Sequence, residues 1–220
     1  MFVRISLLVL CSFVSTFSLT AQKKQSAKRP SIEDKFVNIK TLSPEILLDM
    51  KYATADNFLG QVVYDCAECY LRKATAQALV AAQKDFVARG YSLKLFDCYR
   101  PLSVQKMWKI LPGTHYVANP AKGSKHNRGA AVDLTLVEIA TGKEVDMGTP
   151  FDTFSPKAHH SYTDLPKEVL AHRQLLKEVL GKHNFKPIFS EWWHYEYRPE
   201  MTSPVEDLAW PCPEDKQYNR

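Results

Sequence analysis

Residues 123 to 133 read Gly123-Ser124-Lys125-His126-Asn127-Arg128-Gly129-Ala130-Ala131-Val132-Asp133. The stretch opens as a polar loop punctuated by two glycines and runs without a break into an apolar segment. From Ala130 to Leu136 the spacing predicts a strand with Ala130, Val132, Leu134 and Leu136 on one face and Ala131, Asp133 and Thr135 on the other. Asp133 is thus a carboxylate inside an otherwise apolar strand, with small neighbours that leave space beside it. Burying it unpaired is costly and demands a cation or strong donors. Arg128 offers a structural ion pair. His126, at the mouth of the same strand, offers instead the second ligand of a metal.

Two metal ligands need a third. Glu191-Trp192-Trp193-His194 supplies a further imidazole and a carboxylate that is free of ligand duty. A catalytic zinc takes three protein ligands and keeps one position for water, so one zinc per chain held by His126, Asp133 and His194 is a complete set. Glu191 can then act as general base, taking the water's proton and passing it to the leaving amine. In a regular strand, residues 191 and 194 point to opposite faces. Both reach one metal only if Glu191 lies before the strand proper or at a bulge; otherwise the segment is an aromatic strand packed on the core. Arg100, at the end of a strand running from Tyr91 to Tyr99 and stopped by Pro101, can stabilise a developing oxyanion or pair with Asp97.

Working outward, residues 73 to 89 carry apolar positions at one helical face and are followed by Gly90, which predicts a helix with a glycine stop. Ser103 is expected to cap a short helix with Val104, Met107, Trp108 and Leu111 on its apolar face, ended by Leu111-Pro112-Gly113. A last long helix is expected from Thr163 or Asp164, with Pro166 in its first turn, Val169, Leu176, Val179 and Leu180 as its buried stripe, and Gly181 closing it. Residues 36 to 52 suit a strand pair, or a strand leading into the Lys51 to Gly60 run, which either lines a pocket or forms a surface turn. Glu138 to Lys143 suits a hairpin turn, Ile188 to Arg198 reads as an aromatic strand, and the remainder as a coil that packs Trp210. Helices mixed with a few strands, without regular βαβ alternation, predict an α+β fold: a single domain with a small antiparallel sheet and flanking helices.

The N-terminus carries Arg4, an apolar run from Ile5 to Leu19, and then Thr20-Ala21-Gln22. This predicts a signal peptide over residues 1–21, since the run is short of the ~20 apolar residues of a span and contains Ser12, Ser15, Thr16 and Ser18. Cys11 sits mid-run behind Leu10, which is not the small residue of a lipoprotein signal. Residues 22–35 are expected to be a flexible tether, and residues 36–220 the exported, periplasmic domain, without stable membrane insertion after cleavage. The formal excess of +5 is carried by Arg4, Lys23, Lys24, Lys28 and Arg29, so the domain is neutral and has no basic surplus to hold nucleic acid. Cys66, Cys69, Cys98 and Cys212 form an even set, which in an exported protein suggests disulfides with three possible pairings. A single C-x-x-C, Cys66 to Cys69, gives little support to redox chemistry or a second zinc site. His115, His159, His160, His172 and His183 stand in helical or polar-turn contexts and are left out of the ligand set. Oligomeric state is left open.

Taken together, Ser124-x-His126-x-x-Gly129-x-Ala131-x-Asp133 followed by Glu191-x-x-His194 resembles the zinc D-Ala-D-Ala peptidases of the superfamily that includes the hedgehog signalling domain. Tyr52-Ala53-Thr54-x-Asp56-Asn57-Phe58, Asp97-x-Tyr99-Arg100-Pro101, Gly148-Thr149-Pro150-Phe151-Asp152 and Glu191-Trp192-Trp193-His194-Tyr195 look like its D-alanyl-D-alanine dipeptidase (VanX-type) branch, over about residues 36 to 200. The resemblance implies the same zinc ligands and base, with Arg100 as transition-state stabiliser. It also implies that Asp152 receives the free ammonium of a small D,D-dipeptide, with Ser124 and Tyr52 near the dipeptide. A carboxylate at that end rejects chain-internal peptides and so favours a dipeptidase. The cysteines lie outside the matched motifs. Hydrolysis of D-Ala-D-Ala in cell-wall turnover is the expected function; the alternatives are a D,D-carboxypeptidase acting on peptidoglycan stems and a non-catalytic zinc-containing cell-wall-binding module.

Overall fold

The computed structural model describes residues 31–108, 116–119 and 121–213. The expected signal peptide, the tether as far as residue 30, His115 and the helix stop at Leu111-Pro112-Gly113 lie outside the described residues. In chain order the strands and helices are β1 (Phe36–Asn38), β2 (Leu47–Leu48), β3 (Tyr70–Arg72), α1 (Lys73–Val87), β4 (Tyr91–Asp97), α2 (Leu102–Met107), β5 (Ala131–Glu138), α3 (Lys167–Lys182), β6 (Phe185–Pro187) and β7 (His194–Tyr197). Helices and strands mix without βαβ repetition, the expected α+β class.

The strand read from the opening stretch is the middle of the main sheet. Its order is β2-β4-β5-β7-β6, antiparallel except for the parallel β2–β4 edge, while β1 and β3 form a separate antiparallel pair. β4 slips its register against β5 between Leu95 and Asp97, so Asp97 rather than Phe96 stands opposite Asp133. A bulge of this kind re-aims a side chain. On the other side, Asp133 pairs with His194, and Ala131 with Glu196. Paired residues share a face, so Asp97, Asp133, His194 and Glu196 project from one side of the sheet, and Ala131 leaves room there. From the other side, Leu93, Leu95, Val132, Leu134, Leu136 and Tyr195 join Leu79 and Phe86 of α1 and Leu176, Val179 and Leu180 of α3 in one apolar core. Each such side chain contributes roughly 1.5–3 kcal/mol when fully buried; this core is the rigid backing of the polar face.

Several boundaries differ from the sequence reading. Residues 36–52 do not form a strand pair with each other: β1 pairs β3, and β2 pairs β4, because each short apolar run finds a longer-range edge. Ser31 and the residues up to Lys35, inside the expected tether, form a 3-10 turn that buries Ile32 against Phe36, Tyr70 and Tyr99. The folded domain therefore begins before residue 36. Ser103 does not cap α2 with its side chain; Asp207 accepts from the Ser103 N–H at 2.8 Å instead. Met107, expected on the apolar face of that helix, is exposed. Pro166 precedes α3 as its N-cap, and Gly181 lies within it; the chain leaves the helix through Asn184, left-handed at φ 65. Asparagine does at this stop what glycine was expected to do. Of the aromatic strand expected over 188–198, only His194–Tyr197 (β7) is strand; residues 188–193 are an irregular link that joins it to β6, which lies before the expected span. As expected, Gly90 follows α1 at positive φ, the 138–143 segment turns back through Gly142, and Trp210 packs on Tyr64, Tyr70 and Tyr99.

Candidate active site

The loop before β5 closes as a 3-10 turn, His126–Arg128, capped by Gly129 in the left-handed region at φ 64. Ser124 and Asn127 lock it: the Ser124 N–H donates to Asn127 Oδ1 at 2.6 Å, and Asn127 Nδ2 donates to the Arg100 carbonyl at 2.7 Å. That turn aims His126 at the Asp133 face. His126 Nδ1 lies 2.7 Å from the Cys98 carbonyl. A carbonyl only accepts, so Nδ1 carries the proton and Nε2 presents a lone pair.

Donor atoms of two other residues converge on that lone pair. His126 Nε2 stands 3.1 Å from His194 Nδ1 and 3.3 Å from Asp133 Oδ2, and His194 Nδ1 is 2.9 Å from Asp133 Oδ1. Ligands at about 2.0–2.1 Å from a tetrahedral ion are about 3.3 Å apart, so this triangle has the dimensions of one metal's coordination face. All three residues are buried, and their ligand atoms lie within 4.8 Å of one another. Burial works to raise the pKa of Asp133, but His126 and His194 outweigh it and hold the carboxylate ionised well below its usual range. Neutral imidazoles and a carboxylate are suitable donors for zinc or a similar divalent ion, and the residues present fit such an ion.

Glu191 lies just before β7, which resolves the alternation conflict: it is outside the strand and on the side of His194, with Oε2 3.9 Å from His194 Nδ1. Burial pushes its carboxyl up to about 7, with His194 opposing. Glu196, which the sequence reading missed, backs His194 from behind at 3.7 Å from Nε2. Its signal was available, because residues two apart in a strand share a face.

The Arg100–Asp97 ion pair forms, and Arg100 also lines the cavity. It pairs with Asp97 through Nε at 3.1 Å and through Nη2, and Nη1 donates to Gln105 at 2.6 Å. A guanidinium has five N–H donors, so one remains on each Nη. Its Cζ lies 3.3 Å from the ring centre of Trp108 and 5.4 Å from that of Tyr52. Burial disfavours the charge, yet Asp97 and the neighbouring tyrosines more than compensate and raise the pKa. Asp97 is itself fixed by the Tyr64 hydroxyl at 2.7 Å and the Cys98 N–H at 2.9 Å. The alternative partner for Asp133 does not form: Arg128 donates to the Ser203 carbonyl.

Asp152 accepts from the Tyr52 hydroxyl at 2.8 Å. Its loop is pinned by Arg173 of α3, nearly fully buried, which donates to the carbonyls of Met147, Lys157 and His159 at 2.8, 3.1 and 3.2 Å. The eight residues singled out from the sequence (Tyr52, Arg100, Ser124, His126, Asp133, Asp152, Glu191 and His194) all line one cavity of about 270 Å³. Of the two readings of the Lys51 to Gly60 run, the pocket-lining one holds at Tyr52. The other described histidines do not join the cluster: His159 meets Tyr116, His172 the Asp146 carbonyl and His183 Asp85. The cysteines pair as Cys66–Cys212 and Cys69–Cys98, so the C-x-x-C motif is neither a redox pair nor half a metal site.

A buried His-Asp-His donor face with a carboxylate beside it, on a sheet backed by two helices, is the arrangement of a mononuclear metallohydrolase. The chain belongs to the peptidase M15 family, described as D-ala-D-ala dipeptidase, which matches residues 32–210. The D-alanyl-D-alanine dipeptidase of Escherichia coli (strain K12) is 34% identical over 170 residues, 77% of this chain and 88% of the relative. Those of Enterococcus faecalis (strain ATCC 700802 / V583) and Streptomyces coelicolor (strain ATCC BAA-471 / A3(2) / M145) are 32% and 33% identical over 186 residues, each covering 75% of this chain and 92% of the relative.

Proposed function

We propose that this protein is a zinc-dependent dipeptidase that hydrolyses D-Ala-D-Ala to two D-alanines. The observation that carries the reading is that the His126–Asp133–His194 triangle, the Glu191 carboxylate and the Asp152–Tyr52 pair open onto one small cavity. The names of the relatives support the substrate. His126, Asp133 and His194 hold the ion, which supplies Lewis acidity toward an attacking water and the scissile carbonyl. Asp152, oriented by Tyr52, receives the ammonium of the dipeptide and sets its direction in the cavity. Ser124 flanks the dipeptide from the turn that carries His126. The two free N–H groups of Arg100 meet the carbonyl oxygen as it gains charge, in a buried setting where such donors count most. Glu191 takes the proton of the water and delivers it to the leaving amine; a carboxyl raised toward neutrality suits both halves of that transfer.

The segment from Arg4 to Ala21 supports export by a signal peptide, and two disulfides suit an oxidising compartment. The periplasm is the setting we propose, with turnover of cell-wall dipeptide as the role. The test is release of free D-alanine from D-Ala-D-Ala by the zinc-loaded protein, with Glu191→Ala alongside. Rapid release by the wild type, abolished in the variant with zinc retained, is the expected result. Faster cleavage of D-Ala-D-Ala termini on peptidoglycan stems than of the free dipeptide replaces the reading with a D,D-carboxypeptidase. A folded, zinc-replete protein inert on both is a binding module.

A further inference from the structure

We propose that the Cys69–Cys98 disulfide is a positioning element of the metal centre: it fixes the backbone carbonyl that orients His126 and thereby sets how tightly the site holds its metal. The inference rests on reading the His126–Asp133–His194 triangle as the metal site. It concerns a feature outside the motifs by which the chain resembles its family.

Cys98 stands where ordinary secondary structure gives out. The β4–β5 ladder slips at Leu95 and ends at Asp97, so residue 98 has no partner strand on that side. Its N–H turns back to Asp97 Oδ1 at 2.9 Å, and its carbonyl is the acceptor that holds His126 Nδ1 at 2.7 Å. One backbone bond, Tyr99 N–H to the Tyr70 carbonyl at 2.9 Å, joins this segment to β3. The covalent tie beside it is the disulfide to Cys69, the residue before Tyr70. Cys69 is anchored in turn, since its carbonyl accepts from the Ile39 N–H at 2.9 Å. Both cysteines are fully buried. The small β1–β3 sheet is thus bolted to the end of β4 at the residue whose carbonyl faces the metal ligand. Two residues further on is Arg100.

The physical reason that this matters is directional. The hydrogen bond on the far nitrogen of a ligating imidazole fixes its tautomer and ring orientation, and removing such a partner typically costs about 10- to 100-fold in metal affinity. A carbonyl held by flexible chain does the same work less well, because the chain must be ordered each time the metal binds. The other disulfide makes an internal comparison. Cys66–Cys212 instead fastens the C-terminal segment beyond Trp210.

The experiment compares the wild type, Cys69→Ala/Cys98→Ala and Cys66→Ala/Cys212→Ala. Zinc affinity is measured by competition with a chromophoric chelator, and ligand geometry by the visible absorption bands of the cobalt-loaded proteins. The proposal expects zinc affinity to fall about 10- to 100-fold and the cobalt bands to change in the first variant, while the second binds zinc like the wild type despite a lower melting temperature. Unchanged affinity in the first variant, or an equal loss in both, overturns it. If the alanine pair does not fold, Cys69→Ser/Cys98→Ser is measured in its place; if neither folds, the crosslink serves folding and the proposal falls. Because the readout is metal affinity, a wild type that binds zinc tightly but releases no D-alanine overturns the dipeptidase reading and leaves this one standing.

Discussion

Asp152 holds a left-handed backbone at φ 56, rare for a residue with a side chain, and its carboxyl is pushed well above the usual range by burial first, then by Asp133 and Glu191, against the Tyr52 hydrogen bond. Such a group is costly to ionise until a cation arrives. Asp152→Asn keeps its shape and removes its charge; steady-state kinetics should show KM for D-Ala-D-Ala rising about 10- to 100-fold, the loss of one charged hydrogen bond, with zinc content unchanged. Loss of zinc in that variant would make the residue structural. His160 gives a pH dependence of stability. Neither ring nitrogen reaches a hydrogen-bond partner among the described residues. Burial first, then Lys177 and Arg173, lowers its pKa to about 4, and the Glu191 backbone opposes this without reaching hydrogen-bond geometry. The unfolded chain protonates this histidine near 6.5 and the folded one only near 4. Its contribution is therefore intact above pH 6.5 and is lost as pH falls toward 4. Urea midpoints at pH 7.5 and 5 should show the wild type losing about 1–2 kcal/mol more than His160→Leu over that interval; parallel losses would place the imidazole in water. At this scale the His126–Asp133–His194 cluster was legible because an aspartate in an apolar strand is anomalous. Gln105 and Tyr64 were not, since nothing in their neighbourhoods marks them as partners of Arg100 and Asp97.

The turn before β5 shows how an element constrains a site. A Cβ on Gly129 would stand 2.3 Å from the Phe36 ring and 3.2 Å from the Arg72 nitrogen, at a φ of 64 that side chains resist. Phe36 cannot withdraw, because it is stacked on Tyr99 at 4.2 Å and buried. Gly129→Ala should cost about 2–4 kcal/mol from strain and overpacking, read as a lower melting temperature together with weaker zinc binding, since His126 sits in the same turn. A variant as stable as the wild type would mean that the turn is more forgiving than its packing implies. The elements that sequence located well, α1 and β5, have local reasons for their ends: a helical stripe closed by Gly90, and an unbroken apolar run. The misplaced ones have distant reasons. The cap of α2 comes from Asp207, and β1 finds β3, and β2 finds β4, only across long intervening segments. Asn184, not Gly181, takes the left-handed backbone beyond α3, which runs one residue past the glycine to Lys182.

Across the whole molecule, the last described residues act as a strap over the turn that carries His126. Glu206 N–H donates to the Asn127 carbonyl at 2.9 Å, Leu208 N–H to the Tyr99 hydroxyl at 2.8 Å, Arg72 to the Pro204 carbonyl at 3.0 Å, and Lys125 Nζ to the Met201 carbonyl at 2.9 Å. Trp210 then packs on three tyrosines, and Cys212 closes the strap onto Cys66 across a separation of 146 residues. A closure that long should stabilise by about 3–5 kcal/mol. Cys66→Ala/Cys212→Ala is expected to melt about 10 °C lower at unchanged D-alanine release by the metal-loaded enzyme at 25 °C; a matching loss of turnover would mean that the crosslink itself shapes the cavity. The sequence could promise disulfides but not this geometry, because four cysteines permit three pairings and none is marked. The strap also imposes an order in time. Its residues are synthesised after the turn they cover, as His194 is after His126 and Asp133, and a chain still growing has the His126 turn without its cover and the triangle without its third corner. The reactive centre is therefore assembled only once His194 has been made, and a product ended before that residue is silent rather than half active.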